Sequence, residues 1–167
     1  MGKKTRLKYN KILFCGPSGS GKTTWATTLK RVVGDNLKVF ILDGDELRET
    51  INSDLDFSPE SVKENARRIT KLSDWLIKYQ GADIVICSVI MGTEESRELF
   101  KEGGFLNVFV ERKSIVAEDL KGLYSSGKAT PWFPDKKDST IDLIVDNNEN
   151  KCVLADVCTF FSSKIKK

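Results

Sequence analysis

Histidine is absent from this chain. Imidazole is thereby excluded as base, nucleophile or metal ligand, and any proton acceptor must be a carboxylate, Lys, Tyr or Cys. Cysteine is scarce. Cys15, Cys87, Cys152 and Cys158 form no C-x-x-C pair. With Cys15 and Cys87 in apolar runs, the cysteines read as small buried hydrophobes in a reducing cytoplasm. No apolar run is long enough to span a membrane, no signal-peptide pattern is present, and Arg6 breaks the myristoylation pattern that Met1-Gly2 would open. A cytoplasmic protein without a membrane partner is expected. An excess of charge of one sign is lacking too. The net charge is +3, so no large nucleic-acid footprint is implied. Lys3, Lys4, Arg6 and Lys8 at the start, and Lys164, Lys166 and Lys167 at the finish, read as solvated ends. What remains is 167 residues, 40% hydrophobic and 31% charged, enough for one soluble domain with a sizeable core.

Gly16-Pro-Ser-Gly-Ser-Gly-Lys-Thr23 fits G-x-x-x-x-G-K-[ST], the phosphate-cradling P-loop. Its context fits as well. Lys11 to Cys15 before it reads as a buried strand, and Thr23 to Val33 after it as a helix. The glycines let backbone N–H groups turn inward on an anion, and the helix N-terminus adds the positive end of its dipole. Gly16, Ser18, Gly19, Ser20, Gly21, Lys22, Thr23 and Thr24 are the expected nucleotide-binding residues. Lys22 would reach the β/γ-phosphates, and the Thr23 hydroxyl would take Mg²⁺. ATP and Mg²⁺ are the expected cofactors.

Strand and helix alternate along the rest of the chain. Lys38–Leu42 is a second strand, followed by a short helix from Glu46 to about Ile51. Ser58 caps a long helix that has Pro59 in its first turn and that Gly81 stops after Gln80. Asp83–Ile90 is a third strand, and Thr93 caps a helix through Phe100. Phe105–Val110 is a fourth strand, Ser114 opens a further short helix, and Ile141–Val145 is a fifth strand before a final helix. This order predicts an α/β fold: a P-loop NTPase-type three-layer sandwich with a parallel sheet of about five strands and helices on both faces. Ligands bind outside the carboxyl ends of such strands. Gly16, Asp43, Ile90 and Glu111 all follow strand ends and should converge on one rim.

Asp43-Gly-Asp45 sits at the end of the second strand. Two carboxylates spaced i, i+2 there can divide two tasks of phosphoryl transfer, orienting the Mg²⁺ shell and facing the acceptor hydroxyl. Three segments then follow in order: Leu42-Asp-Gly-Asp-Glu-Leu-Arg48, Asp54-Leu-Asp-Phe-Ser58 and Lys63-Glu-Asn-Ala-Arg-Arg68. Together they resemble the L-D-G-D-N-[VI]-R, D-L-G-F-S and K-E-N-I-R-R segments of adenylyl sulfate kinases. Lys121-Gly-Leu-Tyr124 is similar to the family's lid segment. The resemblance runs from about Phe14 to Val145 and implies transfer of the ATP γ-phosphoryl group to the 3′-hydroxyl of adenosine 5′-phosphosulfate. By that resemblance Lys22, Asp43 and Asp45 are catalytic, and Thr23 and Asp43 hold the metal. Asp45 faces the acceptor, although the two aspartates could exchange roles. Arg48, Phe57, Asn65 and Ile90 contact the acceptor nucleotide. Lys121, Gly122 and Leu123 belong to a mobile lid at about 121–138. Trp132 or Phe133 supplies the second aromatic face of a base slot. A homodimer is also implied. From the residues alone, Phe57 reads equally as a hydrophobic staple at the start of the long helix, and Arg67 and Arg68 as a charged helix face.

The departures from the family pattern gather on the acceptor side. Ser61-Val62 stands where the family has Asp-Arg, and Val89-Ile90-Met91-Gly92 where it has Phe-Ile-Ser-Pro. Glu46 replaces its Asn, Glu118-Asp119-Leu120 its Arg-Asp-Pro, and the lid is shorter. Charge-assisted contacts to an anion contribute roughly 1.5–3 kcal/mol each, so a less positive site points to a different acceptor. Kinases similar to this family that act on cytidine diphosphoramidate in capsule assembly fit the change, because a P–NH₂ group donates hydrogen bonds where a sulfate only accepts. A P-loop switch without an acceptor is the alternative of another class. It needs a guanine-reading N-K-x-D, which the chain lacks.

Overall fold

The computed structural model describes residues 6–113, 122–129, 131–135, 137–148 and 153–166. Strands and helices alternate as β1 (Lys11–Cys15), α1 (Lys22–Val33), β2 (Val39–Asp43), α2 (Gly44–Glu49), α3 (Pro59–Gln80), β3 (Ile84–Ser88), α4 (Glu94–Glu102), β4 (Leu106–Glu111), β5 (Leu143–Asp146) and α5 (Val153–Phe160). The five strands form one sheet in the order β2-β3-β1-β4-β5, and every pairing is parallel. This is the P-loop NTPase α/β sandwich.

The inner strands β1, β3 and β4 are mostly apolar because both sheet faces are covered, whereas Ile144 on the edge strand β5 is exposed. Side chains alternate between the two cores. Ile12 and Phe14 pack with Trp25, Leu29, Val157 and Phe160 under α1 and α5. Leu13 and Cys15 pack with Ala66, Ile69 and Phe100 under α3 and α4. Burial pushes the thiols of Cys15 and Cys87 up to about 12, so they are inert. Cys158 differs from that expectation and is exposed on α5. Cys152 and the helix expected from Ser114 lie outside the described residues. Among the described residues, no helix is long and apolar enough to cross a membrane.

The helix ends follow their capping chemistry. The Ser58 hydroxyl accepts from the Ser61 amide at 3.3 Å, and Gly81 ends α3 in the left-handed conformation. Thr93 caps α4 in the same way, accepting from the Ser96 amide. Helix α2 starts two residues before its expected position. Asp43 Oδ1 accepts the Asp45 amide at 2.9 Å, so the aspartate that ends β2 is also the helix cap. Strand β3 stops at Ser88, opposite Asp43, where β2 ends. Beyond it the Ile90 carbonyl accepts from the Gly16 amide. The P-loop and the β3–α4 loop are thereby tied together at the carboxyl edge of the sheet.

Candidate active site

Along that edge a cavity of about 700 Å³ opens between the P-loop, the start of α2, the first turns of α3, the β3–α4 loop and the turn at 122–129. Its phosphate end is built by glycines. Gly16 has φ +141°, and a Cβ there would lie 2.7 Å from the Val110 carbonyl. Gly21 has φ +100°, and a Cβ would lie 2.3 Å from Asn147 Nδ2. A side chain at Gly16 would push the loop off the sheet, and one at Gly21 would displace Asn147 and strain the backbone. Asn147 clamps the loop from beneath, donating to the Ser20 carbonyl at 2.7 Å. Helix α1 begins at Gly21 with no side-chain cap and no acidic residue in its first turn. Its leading amides are therefore open to an anion. Lys22, largely buried, folds back onto the Pro17 carbonyl at 2.6 Å.

Thr23 Oγ1 donates to Asp43 Oδ2 at 2.8 Å and lies 3.1 Å from Ser88 Oγ. Three oxygen ligands of the kind Mg²⁺ favours thus meet beside the P-loop. Ser88 was not expected from the sequence. Its signal was positional, since it is the last residue of a strand in register with Asp43. Asp45, in the first turn of α2, is exposed and lines the same cavity.

At the other end lie Arg48, Phe57, Val62 and Asn65. The Arg48 guanidinium sits 4.1 Å from the centre of the Phe57 ring, and its Nη1 donates to the carbonyls of Leu55 and Asp56. Burial draws the Arg48 pKa down, with Asp56 and Asp45 acting against it. Phe57 is half-buried and turned to the cavity, not folded into the core as a staple. Asn65 is fully buried. Its Oδ1 accepts from Asn52 Nδ2 at 2.7 Å, while its own Nδ2 has no partner. An orphaned buried donor on a cavity wall is costly unless a ligand meets it. Arg68 is held outside the cavity, forked onto Asp54 and bonded to Glu64.

Ile90 and Leu123 line the cavity; Gly122, Gly16 and Ser20 do not. Lys121 lies outside the described residues. Phe133 and Trp132 are not brought to the cavity either. Both rings pack against Phe109, at 6.0 and 5.1 Å between centroids, and the Arg97 guanidinium covers the Trp132 ring at 3.6 Å. The expected aromatic slot therefore has one wall here, Phe57. Behind the cavity, buried Arg97 donates to Thr140 Oγ1, to the Met91 carbonyl and to Asp138. It holds Met91, a cavity-wall residue at φ +46°, in a conformation that a non-glycine residue seldom adopts.

A sequence profile of the adenylylsulphate kinase family matches residues 8–131. The adenylyl-sulfate kinase of Shewanella pealeana is 37% identical over 125 residues, which are 71% of this chain and 60% of that protein. The probable adenylyl-sulfate kinase of Halalkalibacterium halodurans is 35% identical over 162 residues, 89% of this chain and 75% of that one. The solved structure of the Mycobacterium tuberculosis APS kinase CysC, in complex with AMPPNP and APS, matches with a TM-score of 0.71 at 26% identity. That match covers 92% of this chain and 96% of the other. The chain spans about 60% of the length of the Shewanella relative. The profile covers most of the chain and the Halalkalibacterium relative is similar along nearly all of it: this chain belongs to the adenylylsulphate kinase family.

Proposed function

We propose that this protein is an ATP-dependent kinase that phosphorylates the ribose 3′-hydroxyl of a small nucleotide. The observation that carries the reading is one cavity with an open P-loop and the Thr23–Asp43–Ser88 cluster at one end, and Phe57 with the unpartnered Asn65 amide at the other. Asp45 lines the same cavity. The P-loop amides and Lys22 hold the triphosphate. Asp45 accepts the proton of the acceptor hydroxyl as its oxygen attacks the γ-phosphorus. The bond from that phosphorus to the β–γ bridging oxygen breaks, and ADP leaves with the electron pair. Thr23 and Asp43 would hold Mg²⁺, which would supply neutralisation of the phosphate charge.

These roles separate in two variants. Asp45→Asn lowers kcat about a hundredfold with little change in the KM for ATP. Asp43→Asn instead raises the Mg²⁺ concentration needed for half-maximal rate, and asparagine preserves the α2 cap. Identical metal titrations for the two variants would show that the assignment is wrong. At the acceptor end, Phe57→Ala raises the acceptor KM about tenfold and leaves that for ATP unchanged, as expected for a lost base stack. An unchanged acceptor KM would remove Phe57 from the base site.

Adenosine 5′-phosphosulfate is the first acceptor to test, given the family. Val62 supports a second reading. It lines the acceptor wall, where a valine offers no charge to a sulfate. Cytidine diphosphoramidate, with a terminal P–NH₂, needs less positive charge there. Each of these two nucleotides, and ADP and CDP, would be supplied with ATP and Mg²⁺. Transfer to the sulfate alone supports the first reading, and transfer to the phosphoramidate alone the second. Transfer to none of them, with transfer to a sugar instead, overturns the nucleotide-acceptor reading.

A further inference from the structure

Leu123, Gly127, Lys128 and Ala129 form the cavity wall contributed by the turn at 122–129. The turn is internally closed. The Ser126 amide donates to Gly122, that of Gly127 to Tyr124 and that of Ala129 to Leu123. Gly127, at φ +70°, supplies the left-handed step this needs. The turn is also tied to the P-loop, since the Ser18 amide donates to the Tyr124 hydroxyl at 2.7 Å. The turn is thus tied to the phosphate site through a neutral hydrogen bond, and it places Lys128 on the cavity.

The charge inventory of the cavity gives Lys128 its task. Three cationic side chains line it among the described residues: Lys22, Arg48 and Lys128. Lys22 belongs to the P-loop. Arg48 spends Nη1 on two carbonyls and its face on Phe57. The rest of the acceptor wall, at Phe57, Pro59, Val62, Met91 and Gly92, is uncharged. Among the described residues the Lys128 side chain has neither a hydrogen bond nor an ion pair. The donor phosphates have the P-loop amides, the α1 terminus and Lys22. A nucleotide acceptor carrying an anionic 5′ group has Arg48 and nothing else on the wall.

We infer that Lys128 is the second cation of the acceptor site, held over the cavity by the Tyr124–Ser18 hydrogen bond to contact the anionic 5′ group of the acceptor nucleotide. This rests on the nucleotide-kinase reading above. It means that the positive charge missing at Val62 comes from the turn instead of from α3. It also makes Tyr124 a positioning residue, which acts on the acceptor through Lys128.

The test is titration calorimetry on the full chain with the donor site filled by ADP and Mg²⁺. The probes are adenosine 5′-phosphosulfate and cytidine diphosphoramidate. Lys128→Met keeps the apolar stem and removes the charge; it weakens the bound probe about tenfold, and Lys128→Arg restores most of that. ADP affinity, measured separately, is unchanged in both. Tyr124→Phe gives a smaller loss for the same probe, and in that background Lys128→Met costs less than in the wild type. A probe that binds wild type and Lys128→Met equally overturns this inference and leaves the kinase reading standing. Equal weakening of ADP and probe overturns it in favour of a donor-phosphate contact. Failure of both probes to bind the wild type overturns the nucleotide-acceptor reading and this inference with it.

Discussion

Lys22→Ala lowers kcat about a thousandfold or more and leaves the protein folded. Two features set this expectation. The P-loop backbone is held by contacts that do not involve the lysine side chain: the Gly16 amide on Ile90, Asn147 on the Ser20 carbonyl, and the Arg112 guanidinium on the Gly19 carbonyl. The loop therefore keeps its shape when the ammonium is removed. In the kinase reading proposed above, the ammonium acts where charge builds on the transferring phosphoryl group, and a preorganised charge there contributes far more to the transition state than to ground-state binding. Truncating Lys22 frees one hydrogen bond to Pro17, and it also spares the cost of burying a charge. The melting temperature should move by only a few degrees. Steady-state kinetics with ATP and Mg²⁺, beside a thermal melt, separate the two effects. A folded variant with near-normal kcat would remove the protein from phosphoryl transfer.

The donor half of this site was legible because its information is contiguous. Eight residues carry the P-loop, the flanking apolar run and the helix that follows set its orientation, and Asp43 follows at the next strand end. The acceptor half is assembled from side chains far apart in sequence, and their pairings leave no periodic trace. Asn52 holds Asn65 there, and at the donor end the meeting of Thr23 with Ser88 across 65 positions was missed for the same reason. Trp132 shows the same limit from the other side. The family resemblance suggested Trp132 or Phe133 as the second face of a base slot, but the Trp132 ring completes the core between Phe109 and Arg97. Helix α4 gave no hint of this. Arg97 stands among glutamates in Glu94-Glu-Ser-Arg-Glu98, which reads as a solvated face, yet it is 2% exposed.

Arg97 carries the largest stability effect expected in the fold. Its guanidinium joins three segments: the β3–α4 loop through Met91, the stretch before β5 through Asp138 and Thr140, and the Trp132 ring. Arg97→Met removes the cation and leaves the Asp138 carboxylate buried beside an apolar side chain. Breaking such a pair costs about 3–5 kcal/mol. For a chain of this size that corresponds to a fall of roughly 10 °C in Tm. The pH dependence identifies the cause. Burial tends to raise the Asp138 pKa, but the Thr140 hydrogen bonds and the Arg97 charge outweigh it and hold the pKa below the ordinary carboxylate value. A carboxylate with a lowered folded-state pKa adds stability that is present above its ordinary range and lost as pH falls through the folded value. In Arg97→Met the burial acts without the cation, the Asp138 pKa rises, and acidification relieves the variant. The stability gap between wild type and variant should therefore narrow from pH 7 to pH 4. Replacing Asp138 by Leu in the Arg97→Met background should recover part of the loss at pH 7, since no buried charge is then left alone. A gap independent of pH, with no recovery in the double variant, would mean that Arg97 acts through packing on Trp132 and not through the ion pair.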